Sequence, residues 1–82
     1  MHIVWDEPKR LTNIDKHELD FRILTEGWFD DAITIDTRRD RRKAVGWLDG
    51  QVIAVIFSRL GSEGLSVISM RPARRDERRL IE

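Results

Sequence analysis

No pair of residues constrains this chain more than Asp49-Gly50. The dipeptide stands between residues 42–48 and 51–59, two period-two segments, and it supplies the two positive-φ positions that a two-residue type I′ hairpin turn requires. A strand that slips by one residue turns every side chain to the opposite face, so this turn also decides which chemistry shares a surface. It sets Leu48 opposite Gln51, Trp47 opposite Val52, Lys43 opposite Ile56 and Arg41 opposite Ser58. Gly61-Ser62-Glu63-Gly64, taken as a four-residue turn, continues the sheet into residues 65–71, with Leu60 opposite Leu65, Ser58 opposite Val67, Ile56 opposite Ser69 and Ala54 opposite Arg71. One face then carries Ala44, Gly46, Leu48, Ile53, Val55, Phe57, Ile68 and Met70, and should receive the helices. The other mixes Val45, Trp47, Val52, Ala54, Ile56 and Val67 with Arg41, Lys43, Ser58, Ser69 and Arg71. Cations around a small apolar floor suit a phosphate backbone with bases resting nearby; a solvated outer face or a protein interface fits the same pattern equally.

The remaining elements follow from local signals. Asp6 as cap, Glu7 at the positive end of the dipole and Pro8 in the first turn start a helix over residues 7–17. Leu11 and Ile14 form its core side, and Lys9, Asn13 and Lys16 its polar side with His17 beside them. Asp20 can cap a second helix in which Phe21, Leu24 and Trp28 recur. Residues 32–36 read as a short strand and 73–81 as a terminal helix. The expected fold is α+β in one domain over residues 1–82: two N-terminal helices, an antiparallel sheet of about four strands and a C-terminal helix.

Charge and absent motifs narrow the function. The 15 basic and 15 acidic side chains cancel, but residues 1–36 hold four bases against nine acids, so the remainder carries the compensating excess of base. That asymmetry points residues 37–82 toward polyanions, although a charged run is also an ordinary solvated surface. No cysteine is present, which excludes a disulfide, a thiolate zinc site and a cysteine nucleophile, and suits a reducing cytoplasm. The longest apolar run, residues 52–57, is far short of the ~20 residues needed to cross a bilayer, and the opening residues lack a signal pattern, so a soluble, cytoplasmic protein is expected. No Gly-rich phosphate loop, HExxH or GxSxG occurs, and His2 and His17 are too distant in sequence to suggest a metal pair. No metal or cofactor is expected. A DNA-binding reading is weak, because Asp76 and Glu77 interrupt Arg74, Arg75, Arg78 and Arg79 and oppose phosphate contact.

Trp5-Asp6, Lys9, Asn13, Lys16-His17 and Phe21, then Val45-Gly46, Asp49-Gly50, Val55 to Ser58 and Ile68-Ser69-Met70-Arg71 with Ala73 and the Arg-Arg-Asp-Glu-Arg-Arg tail, resemble the BrnT toxins in order over nearly the whole chain. The resemblance implies a RelE-like fold, a ribonuclease that arrests translation, and a cognate BrnA-type antitoxin with a ribbon-helix-helix domain through which the pair binds operator DNA. The family's functional weight on a Lys-His pair and on sheet arginines falls here on Lys16, His17, Arg41 and Arg71. Metal-free cleavage by 2′-hydroxyl attack needs a base, cations around the phosphate and a proton donor. His17, Arg41, Arg59 and Arg71 are therefore the catalytic candidates, and Lys9, Lys16, Lys43, Ser58, Ser69 and Arg74 the substrate-binding ones. Plain alternatives stand beside them: an imidazole at a helix C-terminus interacts well with the dipole, and serine is common in strands. Trp28-Phe29 and the open basic sheet are candidate antitoxin surfaces.

The chain also departs from the family. Arg59-Leu60-Gly61 stands where the family has Glu-Arg-Gly, Ser66 where it often has arginine, and Met70 and Pro72 where it has alanine and lysine. In a regular strand Arg59 points to the helix side, and the expected carboxylate is missing. An alternative is thus a protein of the same fold with little nuclease activity that serves as antitoxin partner and co-repressor.

Overall fold

The structure, a computed structural model, describes residues 1–82. In chain order it comprises β1 (His2–Trp5), α1 (Glu7–His17), a 3-10 turn (Phe21–Ile23), α2 (Glu26–Asp31), β2 (Ile33–Asp36), β3 (Arg41–Leu48), β4 (Gln51–Leu60), β5 (Gly64–Pro72) and α3 (Arg75–Arg78). The sheet has five strands in the order β1-β5-β4-β3-β2. Neighbours run antiparallel except for β1, which pairs parallel with β5. The strand at β1 is one more than the sequence suggests: four residues that pair with a segment sixty positions away carry no local turn signal, and the helix start at Asp6 masks them.

The central hairpin forms as the dipeptide requires, with φ of 49° at Asp49 and 83° at Gly50 and every expected β3–β4 pair in place. The β4–β5 register agrees at Ala54↔Arg71 and Ile56↔Ser69 and then changes, because Phe57 pairs with Val67 and leaves Ile68 as an extra residue in β5. The loop is accordingly three residues, with Leu60 opposite Gly64 rather than Leu65. A bulge inserts one residue and reverses the faces beyond it. Val67, expected on the cationic face, therefore enters the core at 1% exposure, together with Leu65 at 5%.

That core lies under α1, the 3-10 turn and α2. Leu19, Phe21, Leu24 and Phe29 pack on Ala44, Ile53, Val55, Phe57, Leu65, Val67 and Met70. The second helix expected from Asp20 is broken in two: Leu24 is extended at ψ 135°, and the Thr25 hydroxyl accepts from Trp28 N at 3.1 Å to start α2 afresh. Its Phe29 rests edge-on against Phe57 and is closed to a partner, whereas Trp28 is half-buried and lines a cleft with Ile33, Trp47 and Ile81.

α1 departs from the expected orientation at Leu11 and Asn13, while Ile14 is half-buried and Lys9 and Lys16 are exposed as expected. Leu11 is 54% exposed, whereas Arg10 and Asn13 are buried. Asn13 receives the Met70 N–H on its Oδ1 at 3.0 Å and donates Nδ2–H to the Leu19 carbonyl at 2.9 Å, capping a backbone donor of β5 beyond the end of β1. Arg10 holds Glu7 at 2.8 Å and Asp20 at 3.1 Å, fastening the helix to the turn that follows. Buried polar groups need partners, and here the pairing outweighs the apolar periodicity of a short helix.

The C-terminal segment takes the opposite side of the sheet. Ala73 packs with Val45, Val52 and Ala54, and Ile81 rests against them, so part of the face expected to be open is a second, smaller core. The helix itself spans Arg75–Arg78, shorter than the 73–81 read from sequence.

Candidate active site

Cross-strand register gathers cations beside this smaller core. Lys43 stands opposite Ile56, which stands opposite Ser69; Arg71 stands opposite Ala54, which stands opposite Val45; and Arg41 lies two residues before Lys43 in β3, opposite Ser58. All point to the face that α3 half covers. The uncovered part is a basin of about 780 Å3 lined by Thr37, Arg38, Arg39, Asp40, Arg41, Lys43, Ile56, Arg71 and Arg74. Six cations and one carboxylate thus surround a floor that contains Ile56. Arg41 and Arg71, from separate strands, share this basin as the register reading requires.

One acid organises the inner wall. Glu77 is 2% exposed, and its two oxygens receive the Arg71 guanidinium end-on, Nη1 to Oε1 at 2.7 Å and Nη2 to Oε2 at 2.9 Å. The Lys43 ammonium lies 2.8 Å from Oε2, and the backbone N–H of Arg74 reaches Oε1 at 2.8 Å. The Arg71 hydrogen bonds, then the Arg74 N–H and Lys43, hold the Glu77 carboxyl far below the ordinary carboxylate range despite its burial, and Glu77 in turn raises Arg71. The site therefore contains a fixed anion between two of its cations. Glu77 is the residue of the site's inner wall that sequence reasoning missed, having read it as an acid opposed to phosphate. Its position as third residue of α3, reaching back to the N-cap N–H, is the capping pattern that signals an inward-turned glutamate.

A second concavity adjoins the basin. Lys9, Thr12, Asn13, Lys16 and His17 of α1, with Pro8, face Ile68 and Ser69 of β5 across a groove of about 340 Å3. Ser69 belongs to this groove and its cross-strand partner Ile56 to the basin, so the two share no lining residue and are one strand pair apart. The bulge at Ile68 brings the edge of β5 there, and Asn13 sets the height of α1 against it. His17 is half-buried, and Lys9 and Lys16 are exposed.

The structure thus sorts the sequence candidates. Arg41, Lys43, Arg71 and Arg74 share the basin; Lys9, Lys16, His17 and Ser69 share the groove. Ser58 lies on the basin face between Arg41 and Ser66 but lines neither concavity. Arg59 pairs with Leu65 on the helix side and lines a rim cleft with Asp36, Arg39, Asp40, Arg41 and Arg42, of which Arg39, Asp40 and Arg41 also line the basin. The bulge is in β5, so it leaves Arg59 on the side that regular alternation assigns to it.

The fold and the site define a class of small α+β domains that carry a cationic basin on one sheet face, and comparison makes that class specific. The family model described as the ribonuclease toxin, BrnT, of type II toxin–antitoxin systems matches residues 5–77, and the chain belongs to that family. The 1.1 Å crystal structure of the Brucella abortus ribonuclease toxin BrnT is 54% identical and superposes with a TM-score of 0.86, covering 92% of this chain and 99% of that one. No curated protein matches the chain.

Proposed function

We propose that this chain is the toxin of a type II toxin–antitoxin pair and an endoribonuclease that cuts RNA without a metal, arresting translation in the cytoplasm. The observation that carries the reading is the basin in which Arg41, Lys43, Arg71 and Arg74 converge beside the His17 groove. The RNA phosphate rests among these cations, and the strand runs across Ile56 and Ser69 toward Lys9 and Lys16. The 2′-oxygen attacks phosphorus as its proton leaves for a base. The bond from phosphorus to the 5′-oxygen breaks, and that oxygen takes up a proton, leaving a 2′,3′-cyclic phosphate and a 5′-hydroxyl. Guanidinium groups stay protonated and hold the crowded phosphate oxygens in pairs, which suits Arg41 and Arg71 to charge stabilisation. An imidazole is the side chain that ordinarily exchanges a proton near neutrality, which suits His17 to acid or base work. Ser69 is placed to touch the strand between them; Ser58 and Arg59 line neither the basin nor the groove, Arg59 standing in the rim cleft that shares Arg39, Asp40 and Arg41 with the basin.

The partner in this reading is a BrnA-like ribbon-helix-helix antitoxin that brings operator DNA to the complex. Family membership and the intact basin support the ribonuclease over a silent co-repressor. The test is cleavage of RNA by purified protein in excess EDTA, with products analysed for cyclic phosphate, together with growth on expression alone and with the adjacent open reading frame. His17→Ala should lower kcat by at least ~100-fold and leave RNA affinity unchanged. Intact RNA after hours at micromolar protein, with normal growth, would refute the catalytic reading.

A further inference from the structure

We propose that Glu77 is a positioning residue of the cleavage site, one that holds Lys43 and Arg71 at the spacing of a single phosphate; the inference rests on the ribonuclease reading above. Both cations bond the same carboxylate oxygen, Lys43 at 2.8 Å and Arg71 Nη2 at 2.9 Å, so they lie within two hydrogen-bond lengths of each other. Two like charges that close repel, and long cationic side chains otherwise swing into water. Lys43 and Arg71 instead stay 18% and 17% exposed on the wall of the basin, drawn together by an anion that is 2% exposed.

The three groups come from β3, β5 and α3, and the Arg74 N–H bond sets the carboxylate against the start of α3. Glu77 also engages the side of each cation that faces α3. The unused Lys43 hydrogens and the Nε–H and second Nη2–H of Arg71 remain for a ligand, since the bonds of Arg71 within the chain use Nη1 and Nη2. The carboxylate thus does for the resting site what a phosphate oxygen does on the opposite side: one oxygen between one ammonium and one guanidinium.

The experiment compares wild type, Glu77→Gln and Glu77→Asp by steady-state RNA cleavage and by binding of a 2′-O-methyl RNA that cannot be cut. Turnover is expressed per binding-competent molecule, so that a variant with a smaller folded fraction still reports on the site. Glu77→Gln keeps the shape and removes the charge that gathers the cations, so kcat should fall by about 100-fold, the scale of a misplaced catalytic contact. KM and the dissociation constant should stay level or decrease, because the basin has lost an anion. Glu77→Asp keeps the charge on a shorter arm and should recover part of the rate. Equal kcat per competent molecule in Glu77→Gln overturns the inference and leaves the ribonuclease reading standing, and so does complete rescue by Glu77→Asp. A higher kcat in Glu77→Gln overturns it as well, since the carboxylate would then be a competitor of phosphate. Wild type that binds the RNA but never cuts it overturns both.

Discussion

Replacing Asn13 by alanine should remove the anchor that seats α1 on β5. The Asn13 amide takes the Met70 N–H at 3.0 Å and satisfies the Leu19 carbonyl at 2.9 Å, and all three residues are buried. Truncation leaves one backbone donor and one backbone acceptor without partners, each costing ~1–3 kcal/mol. Allowing for partial relaxation, the loss is about 3 kcal/mol, against a total of ~4–12 kcal/mol for a domain of this size. At ~4–8 °C per kcal/mol, the melting temperature should drop by roughly 12–24 °C. Thermal and urea denaturation followed by circular dichroism measure this, and amide exchange at Met70 should accelerate more than at Ile53. Asn13→Asp sharpens the test: its carboxylate still accepts from Met70 but faces the Leu19 carbonyl, so its deficit should shrink as acid protonates it. A melting temperature for Asn13→Ala within about 3 °C of wild type, the range of a surface substitution, would refute the assignment of Asn13 as the anchor.

Two further outcomes follow from the same geometry. A Cβ added at Gly46 meets Trp28 Cζ2 at 3.0 Å and Ala32 Cβ at 3.3 Å, and Trp28 is pinned by its Nε1–H bond to the Trp47 carbonyl at 2.9 Å; Gly46→Ala should therefore cost ~1–3 kcal/mol of overpacking, read as a lower urea midpoint with an unchanged slope. Glu77 has a folded pKa depressed from its ordinary 4.5, so its stabilisation is complete above that value and is lost as the pH falls through it toward the folded value; wild type should lose stability on acidification below about 4.5, and Glu77→Gln, already weaker at neutral pH, should follow a flatter profile in urea titrations at stepped pH.

What was legible in the sequence was local backbone chemistry and the faces it fixes. Asp49-Gly50 specified a hairpin whose eight cross-strand pairs all form, and from it Arg41 and Lys43 could be placed on one surface. Arg71 joined them correctly because Ala54↔Arg71 lies on the hairpin side of the bulge. Beyond Ser69 the reading failed, since nothing in Val67-Ile68-Ser69 marks an extra residue; burial of Val67 and Leu65 in the core accompanies it instead. β1 escaped notice because its pairing depends on β5, and Leu11 misled because α1 seats itself through the hydrogen bonds of Arg10 and Asn13 rather than through an apolar stripe. Glu77 was hidden for a similar reason. An acid among arginines reads as a solvated pair until the chain at Pro72 and Ala73 folds α3 over the sheet and turns that carboxylate between Lys43 and Arg71.

In the proposed function RNA phosphate sits in the basin of Arg38, Arg39, Arg41, Lys43, Arg71 and Arg74. The most direct measurement is the salt dependence of binding a non-cleavable single-stranded RNA, for wild type, Arg41→Ala, and Arg22→Ala as a control outside the basin. Each phosphate contact contributes a slope of about −0.7 in log K against log salt. Arg41→Ala should weaken binding and make the slope shallower by about 0.7, while Arg22→Ala changes neither. Equal affinity and equal slope for wild type and Arg41→Ala would mean that RNA phosphate does not sit in the basin.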